Sequence, residues 1–462
     1  MSVFHSKFTK DEIMETLKNT DAKIHFIGVG GVGMYSLFLL SSRLGYTVSG
    51  SDRELSPLLN KLIDEGYDVS VGHTSENACG KDLVVYTLAL PADNPELVYA
   101  EDNKIPAVSR AEYLGVLMEN YCERISVSGS HGKSSTTAMI SSVLTAAGLD
   151  PTVVLGASLP NSDSPLRVGG KEYLVFEGCE YKDAYLRFSP TVTVFTNLEH
   201  DHVDYFSDIE SIRQSFLAAM NIPKVAIVNC DDENLRRLIP LAKSKIITYG
   251  ESENADYRVI IYSLKAGYYG FKILHGGRDV LEIKLSLPGR FNAMNAAGAA
   301  VFAITAGISC DIISDSLSAF RGIERRLEKI GRYSSNSVFY DYAHHPTEIK
   351  TVIESIREMT KKEVVVIFKP HTYSRTAGFM DDFVRALSLA DRVLLCEISA
   401  IREKAIEGVS SAAIASKIGE KAVVISDDSV IDALKEVENS SIVIMGAADL
   451  SRVKDLILKK GK

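Results

Sequence analysis

Lys133 and Ser134, preceded by Gly129, Ser130, His131 and Gly132, are the residue types that hold and transfer phosphate. A lysine reaches β- and γ-phosphate oxygens, and a serine hydroxyl ligates Mg2+, for which Mn2+ is an acceptable substitute. Small residues let backbone N–H groups face an anion, and a helix starting there adds positive potential. The spacing between the two glycines is shorter than in the common phosphate loop. A glycine turn capped by Ser134 is the plain alternative, but it leaves the lysine without a role. An apolar run with Ile125 and Val127 precedes the loop, and Ser135 leads into a helical pattern with Met139, Ile140, Val143 and Leu144. Strand, loop and helix together point to a nucleoside triphosphate.

Six of the ten histidines fall at expected strand ends: His131, His200, His202, His344, His345 and His371. Glu177 and Glu180 end one strand, while Glu199, His200, Asp201 and His202 follow the next. Strands that end beside a phosphate loop converge on one crevice, so a carboxylate and an imidazole there suit a divalent cation. Ser134, Glu177 and His202 are the expected metal ligands. Asn292 and Asn295 share one helical face, where amides could meet an adenine edge; an N-cap is the alternative for Asn292. Arg325 and Arg326 stand where a third domain begins, placed to meet phosphate charge across a hinge. Asp341, His344 and Arg375 end strands of that domain, and Arg375 suits a carboxylate.

A second glycine loop comes earlier. Gly28, Gly30 and Gly33, with Gly31 between them, follow the apolar run from residue 24, and the next strand ends at Ser51 and Asp52. That is the spacing of a dinucleotide fold, with the acid placed for a ribose. Taken alone it allows an oxidoreductase using NAD(P), but that reading leaves the Lys133 loop and the histidines without work.

The elements that must carry these residues read as three α/β units: residues 1–112 and 325–462, both Rossmann-like, and a central phosphate-loop unit over 113–324. A chain of 462 residues exceeds what one core organises. Apolar runs ending in polar residues mark buried parallel strands, and glycine-punctuated alternation between Tyr257 and Leu287 marks an antiparallel side sheet. A helix-rich piece follows from Asn292 to Arg321. The net charge of −9, without a basic tract, argues against nucleic acid. Scattered cysteines suggest neither zinc knuckle nor disulfides. The N-terminal segment reads as an amphipathic helix, and residues 296–310 are too short to span a bilayer, so no membrane and a cytoplasmic location are expected.

The stretches GSHGKSSTT, EGCEYKDAY, TNLEHDHVDYF, GRFNAMN, RRLEKIG, DYAHHPTEI, PHTYSRT and MGAAD resemble, in this order, the Mur ligases. The resemblance implies ATP-dependent amide formation in peptidoglycan precursor synthesis: a carboxylate becomes an acyl phosphate, and an amino acid's amine displaces phosphate. It implies that the first loop (Gly28, Gly30, Gly31, Gly33, Ser51, Asp52) holds the UDP of UDP-N-acetylmuramate rather than NAD. Residues 129–135 with Asn292, Asn295, Arg326 and Asp341 would bind ATP. Lys133, Glu177, His202, Arg326 and His344 would be catalytic, and His344 and Arg375 would bind the amino acid. A monomer or weak homodimer is expected.

Four positions depart from the family pattern: Ser134 for threonine, Tyr181 for serine, Ala343 for glycine, and Thr372 where alanine-adding members commonly have arginine. Thr372 therefore bears on the amino acid, for which L-alanine is the expectation. Leu217 stands where members adding later residues carry a carbamylated lysine, in agreement with a first-step member. The alternatives are a murein-peptide recycling ligase, or a ligase with altered specificity or lost activity.

Overall fold

A computed structural model of the chain describes residues 8–159, 162, 164–400 and 403–460. The first sheet has five parallel strands, in the spatial order Asp68–Val71, Thr47–Asp52, Lys23–Ile27, Leu83–Tyr86, Ala107–Ser109. Strand order reverses around Lys23–Ile27, so the crevice beyond its C-terminal end receives the first glycine loop, as open parallel sheets require. Phe26 and Phe38 are fully buried edge-to-face there, each contributing roughly 1.5–3 kcal/mol by burial.

The central sheet is built around Glu123–Ser128, flanked in parallel by Tyr173–Gly178 and Val192–Phe195. Val225–Asn229 and Lys245–Gly250 extend it in parallel. The antiparallel run anticipated between Tyr257 and Leu287 is present as Tyr257–Lys265, Tyr268–His275 and Arg278–Pro288. These strands join the parallel ones edge-on through Tyr249 and Tyr257, making one sheet of ten strands. Helices Arg290–Thr305 and Cys310–Ala319 follow.

The third sheet runs Glu328–Tyr333, Asn336–Asp341, Ser441–Met445, Val364–Phe368, Arg392–Leu395, Ala422–Val424, all parallel except the first. Val364, Val366 and Phe368 pack into one core while Val365 and Ile367 pack into another. That two-faced burial is why the segment reads as an unbroken apolar run. Glu328–Tyr333 has no such run because it is an edge strand exposed along part of its length.

The first and central units share one continuous hydrophobic cluster, from Phe26 and Phe38 to Phe176 and Phe195. Helix Arg110–Leu117 spans the boundary drawn at residue 112, packing on helices Lys10–Lys18 and Val32–Arg43 as well as on the segment Tyr181–Arg187. Among the described residues no helix is long and apolar enough to cross a membrane.

Candidate active site

All three units open onto one cleft of about 1530 Å³. Its floor is the loop between strand Glu123–Ser128 and helix Lys133–Ala146. Segment 196–199 braces that loop from the next strand. Asn197 Oδ1 accepts from His131 N at 2.8 Å, Thr196 Oγ1 donates to His131 O at 2.7 Å, and Ser130 Oγ accepts from Glu199 N at 2.9 Å. Gly132, the helix N-cap, has φ +81, and a Cβ there would collide with the Asn295 amide. Gly132→Ala is therefore expected to keep the melting temperature within a few degrees while weakening ATP binding at least ~10-fold, a shift of ~1.4 kcal/mol, as nucleotide titration would read.

Lys133 Nζ lies 3.0 and 3.1 Å from the two Glu180 oxygens and also donates to the carbonyls of Gly129 and Ser130. Burial opposes the lysine's charge, but Glu180 outweighs it and the pKa is raised. His202 Nε2 is 3.5 Å from Glu180 Oε1. The carboxylate seated between lysine and imidazole is thus Glu180, which joins Glu177, the expected metal ligand, on the cleft wall. Glu177 lines the cleft, but its Oε1 accepts from Gly156 N at 2.6 Å. The strand ends at Gly178, and the chain then turns through Glu180 with helical φ and ψ, so side-chain alternation cannot be continued past it. Ser134 lines the same wall. Ser134, Glu177, Glu180 and His202 all line the cleft, a hydroxyl, carboxylates and an imidazole of the kind that suits a hard divalent cation completed by phosphate and water.

The third unit contributes Arg326, His344 and Glu348 to the cleft. Burial pushes His344 down to about 4, with Glu348 opposing the shift, so the imidazole is neutral near pH 7. Its Nδ1 lies 3.0 Å from Tyr342 O, which assigns the proton to Nδ1 and leaves Nε2 as an acceptor. Arg325 and Arg326 both lie over the Tyr342 ring, and Arg325 also donates to Gly446 O. His131 bridges two carboxylates, Glu348 at 3.0 Å and Glu199 at 3.3 Å. Burial works against its charge, yet the two acids push it up to about 10.

Several anticipated residues sit behind the cleft rather than on it. Asn292 donates to Pro288 O at 2.8 Å, Asn295 backs Gly132, and Gly129 and Ser135 belong to the loop's buried side. Ser51 donates to buried Glu96 at 2.8 Å while its carbonyl receives Gly28 N and Val29 N. Asp52 lines the cleft but accepts from Gly30 N at 2.8 Å, a contact that shapes the loop itself. Gly28, Gly30, Gly31 and Gly33 line the cleft, with Arg110 beside Gly33. Arg110 carried no spacing signal of its own, being part of a capping box that begins at Ser109.

Arg375 donates to Asp201 across the seam at 2.7 Å, both side chains being buried. Thr372, a β-branched residue at φ +66, caps the short helix that carries Arg375. Holding it in that region costs on the order of 1–3 kcal/mol.

Asp341 is buried and accepts from Leu327 N and Ala343 N. Burial pushes it up to about 6 despite Arg326. A carboxyl whose folded pKa is raised binds its proton more tightly in the native state. Its stabilising contribution is therefore complete below about pH 4 and is lost as pH rises through 6, by ~3 kcal/mol. The melting temperature of the wild type relative to Asp341→Asn is expected to fall between pH 4 and 6; a pH-independent difference would contradict the assignment.

Models described as "Mur ligase family, catalytic domain", "Mur ligase middle domain" and "Mur ligase, glutamate ligase domain" match residues 23–122, 127–303 and 325–449. UDP-N-acetylmuramate–L-alanine ligase of Caldicellulosiruptor bescii is 38% identical over 448 residues, covering 95% of this chain and 98% of that protein. The same-named ligase of Clostridium acetobutylicum is 36% identical over 455 residues, covering 96% and 99%. The solved UDP-N-acetylmuramate–alanine ligase of Thermotoga maritima superposes with a TM-score of 0.81 at 26% identity, covering 95% of this chain and 98% of that one.

Proposed function

The chain belongs to the Mur ligase family, and from that premise we propose that it joins L-alanine to the carboxylate of UDP-N-acetylmuramate, consuming ATP. The observation that carries this reading is the shared cleft, in which the Lys133 loop, the first glycine loop and His344 face one another from three units.

The backbone N–H groups and Lys133 hold the triphosphate. The first glycine loop holds the UDP diphosphate, with Ser51 bracing it from behind. An oxygen of the sugar acid attacks the γ-phosphorus, the bond to the β-phosphate oxygen breaks, and ADP leaves. Lys133 and Arg326 balance the charge that spreads over the transferring group. The neutral His344 accepts a hydrogen bond from the incoming amine at Nε2. The amine adds to the acyl phosphate carbonyl, and collapse of the tetrahedral adduct expels phosphate. Mg2+, for which Ser134, Glu177, Glu180 and His202 are the fitting donors, would neutralise phosphate charge when bound. Closure of the third unit by the Arg375–Asp201 pair would exclude water from the acyl phosphate. The cleft is complete within one chain, which supports a monomer or weak homodimer, and both ATP and the UDP-sugar are reagents of the cytoplasm.

The test uses oxygen-18 in the lactyl carboxylate of UDP-N-acetylmuramate. Label is expected in the released phosphate, and only when UDP-sugar, Mg-ATP and L-alanine are all present. Product formed without label transfer would overturn the acyl phosphate. Turnover with a peptide in preference to L-alanine would overturn the choice of amine.

A further inference from the structure

One side-chain cluster lies outside the chemistry just described, at the seam between the central and third units. His131 Nε2 lies 3.3 Å from Glu199 Oε2, and His345 Nδ1 lies 3.5 Å from that same oxygen. The ligand atoms of His131, Glu199 and His345 all fall within 4.8 Å of one another. From these positions we infer a transition-metal site, of the zinc class, in which His131, Glu199 and His345 ligate one divalent ion that latches the phosphate loop to the third unit.

Three observations carry this. The first is distance: metal–ligand bonds of about 2.0–2.1 Å at the tetrahedral angle place neighbouring ligand atoms about 3.3–3.4 Å apart, and the two spacings around Glu199 Oε2 are 3.3 and 3.5 Å. The second is the support behind the first ligand. Glu348 Oε1 sits 3.0 Å from His131 Nδ1. That is the carboxylate–histidine arrangement that orients a metal-bound imidazole and raises its basicity. The third is that His345 is buried and its Nδ1, the atom facing Glu199, takes only a long 3.3 Å bond from Thr347 N. An ion would replace that weak bond with a stronger one. Thr347 Oγ1, 2.6 Å from Glu199 Oε2, stands at the edge of the site beside the remaining position, which a water can fill.

Two imidazoles with one carboxylate favour Zn2+ over Mg2+, which prefers an all-oxygen octahedron. The ligands are not those fitted to Mg2+, since Ser134, Glu177, Glu180 and His202 take no part. In the metal-free protein a proton on His131 occupies the place between Glu199 and Glu348; the incoming ion displaces it to solvent. The loaded ion would tie the N-cap of helix Pro346–Thr360 to the phosphate loop and hold the seam shut. Zn2+ is then an inhibitor that excess Mg2+ does not relieve.

The full-length, metal-stripped protein without nucleotide is titrated with Co2+ and followed by visible absorption. One equivalent is expected to give the intense band of a four-coordinate site, bleached by Zn2+. His345→Ala and, independently, Glu199→Gln should each lower Co2+ affinity at least tenfold. His202→Ala, which disables the other donor set, should retain the band. Thermal melts of each variant certify the fold, and two ligand variants keep the test decisive if one fails to fold. Solution scattering should show compaction of the wild type on adding Zn2+ and none for Glu199→Gln. Absence of the band, its survival in both ligand variants, or its loss in His202→Ala alone would overturn the site.

Discussion

Lys133→Ala is expected to lower turnover by on the order of 10³-fold or more, equivalent to ~4 kcal/mol of barrier. Two effects combine. The variant loses the cation that follows the γ-phosphoryl group, and it leaves Glu180, 1% exposed, with its carboxylate uncompensated. The partner variant separates these roles. Glu180→Gln keeps the shape and removes the charge that positions Lys133 and the metal, and turnover should fall about 100-fold, or ~2.7 kcal/mol. Glu177→Gln should leave turnover within about threefold, because Glu177 is engaged with Gly156 N and touches neither Lys133 nor His202. Steady-state phosphate release with both substrates saturating reads all three variants. Equal losses in Glu177→Gln and Glu180→Gln would give Glu177 an equal share in the metal.

Arg375→Ala is expected to raise the KM for L-alanine by on the order of 100-fold, with a smaller fall in kcat. Part of that loss is a carboxylate grip on the substrate. The larger part is structural: removing the guanidinium leaves Asp201 buried without its partner across the seam, and breaking such a pair costs ~3–5 kcal/mol. That cost falls on the seam, because residues 201 and 375 come from different units and meet there. Arg375 holds Asp201 far below the usual carboxylate range, against burial that pushes the other way. Combining Asp201→Asn with Arg375→Ala removes the stranded charge, so the double variant should recover part of the KM and the substrate-induced compaction seen by scattering. A double variant as impaired as Arg375→Ala would make the pair irrelevant to closure and leave Arg375 a substrate contact alone.

Local chemistry made the two glycine loops readable. Gly28 to Gly33 and Gly129 to Ser134 each sit between an apolar run and a helical pattern, and backbone sterics at those glycines allow few other outcomes. The alternating run over Tyr257 to Leu287 was legible for the same reason, since a period of two is a property of neighbouring residues. The edge strand Glu328–Tyr333 was not, because an exposed strand lacks the apolar run that marks a buried one. Nor was the inward turn of Ser51 toward Glu96, which needs the fold to bring residues 45 positions apart together.

What the amino-acid order determined by itself is therefore the inventory: a phosphate loop with its lysine, a second glycine loop, acids and histidines at the ends of strands, and the family these stretches resemble. Tertiary structure decided which members of that inventory meet. It put Glu180 rather than Glu177 on Lys133, paired Arg375 with Asp201 across 174 residues of chain, and gathered His131, Glu199 and His345 at one seam. The physical reason is range. Strand and helix periods act over a few residues, whereas the meeting of distant side chains follows from strand order in three sheets and from how the third unit closes on the other two.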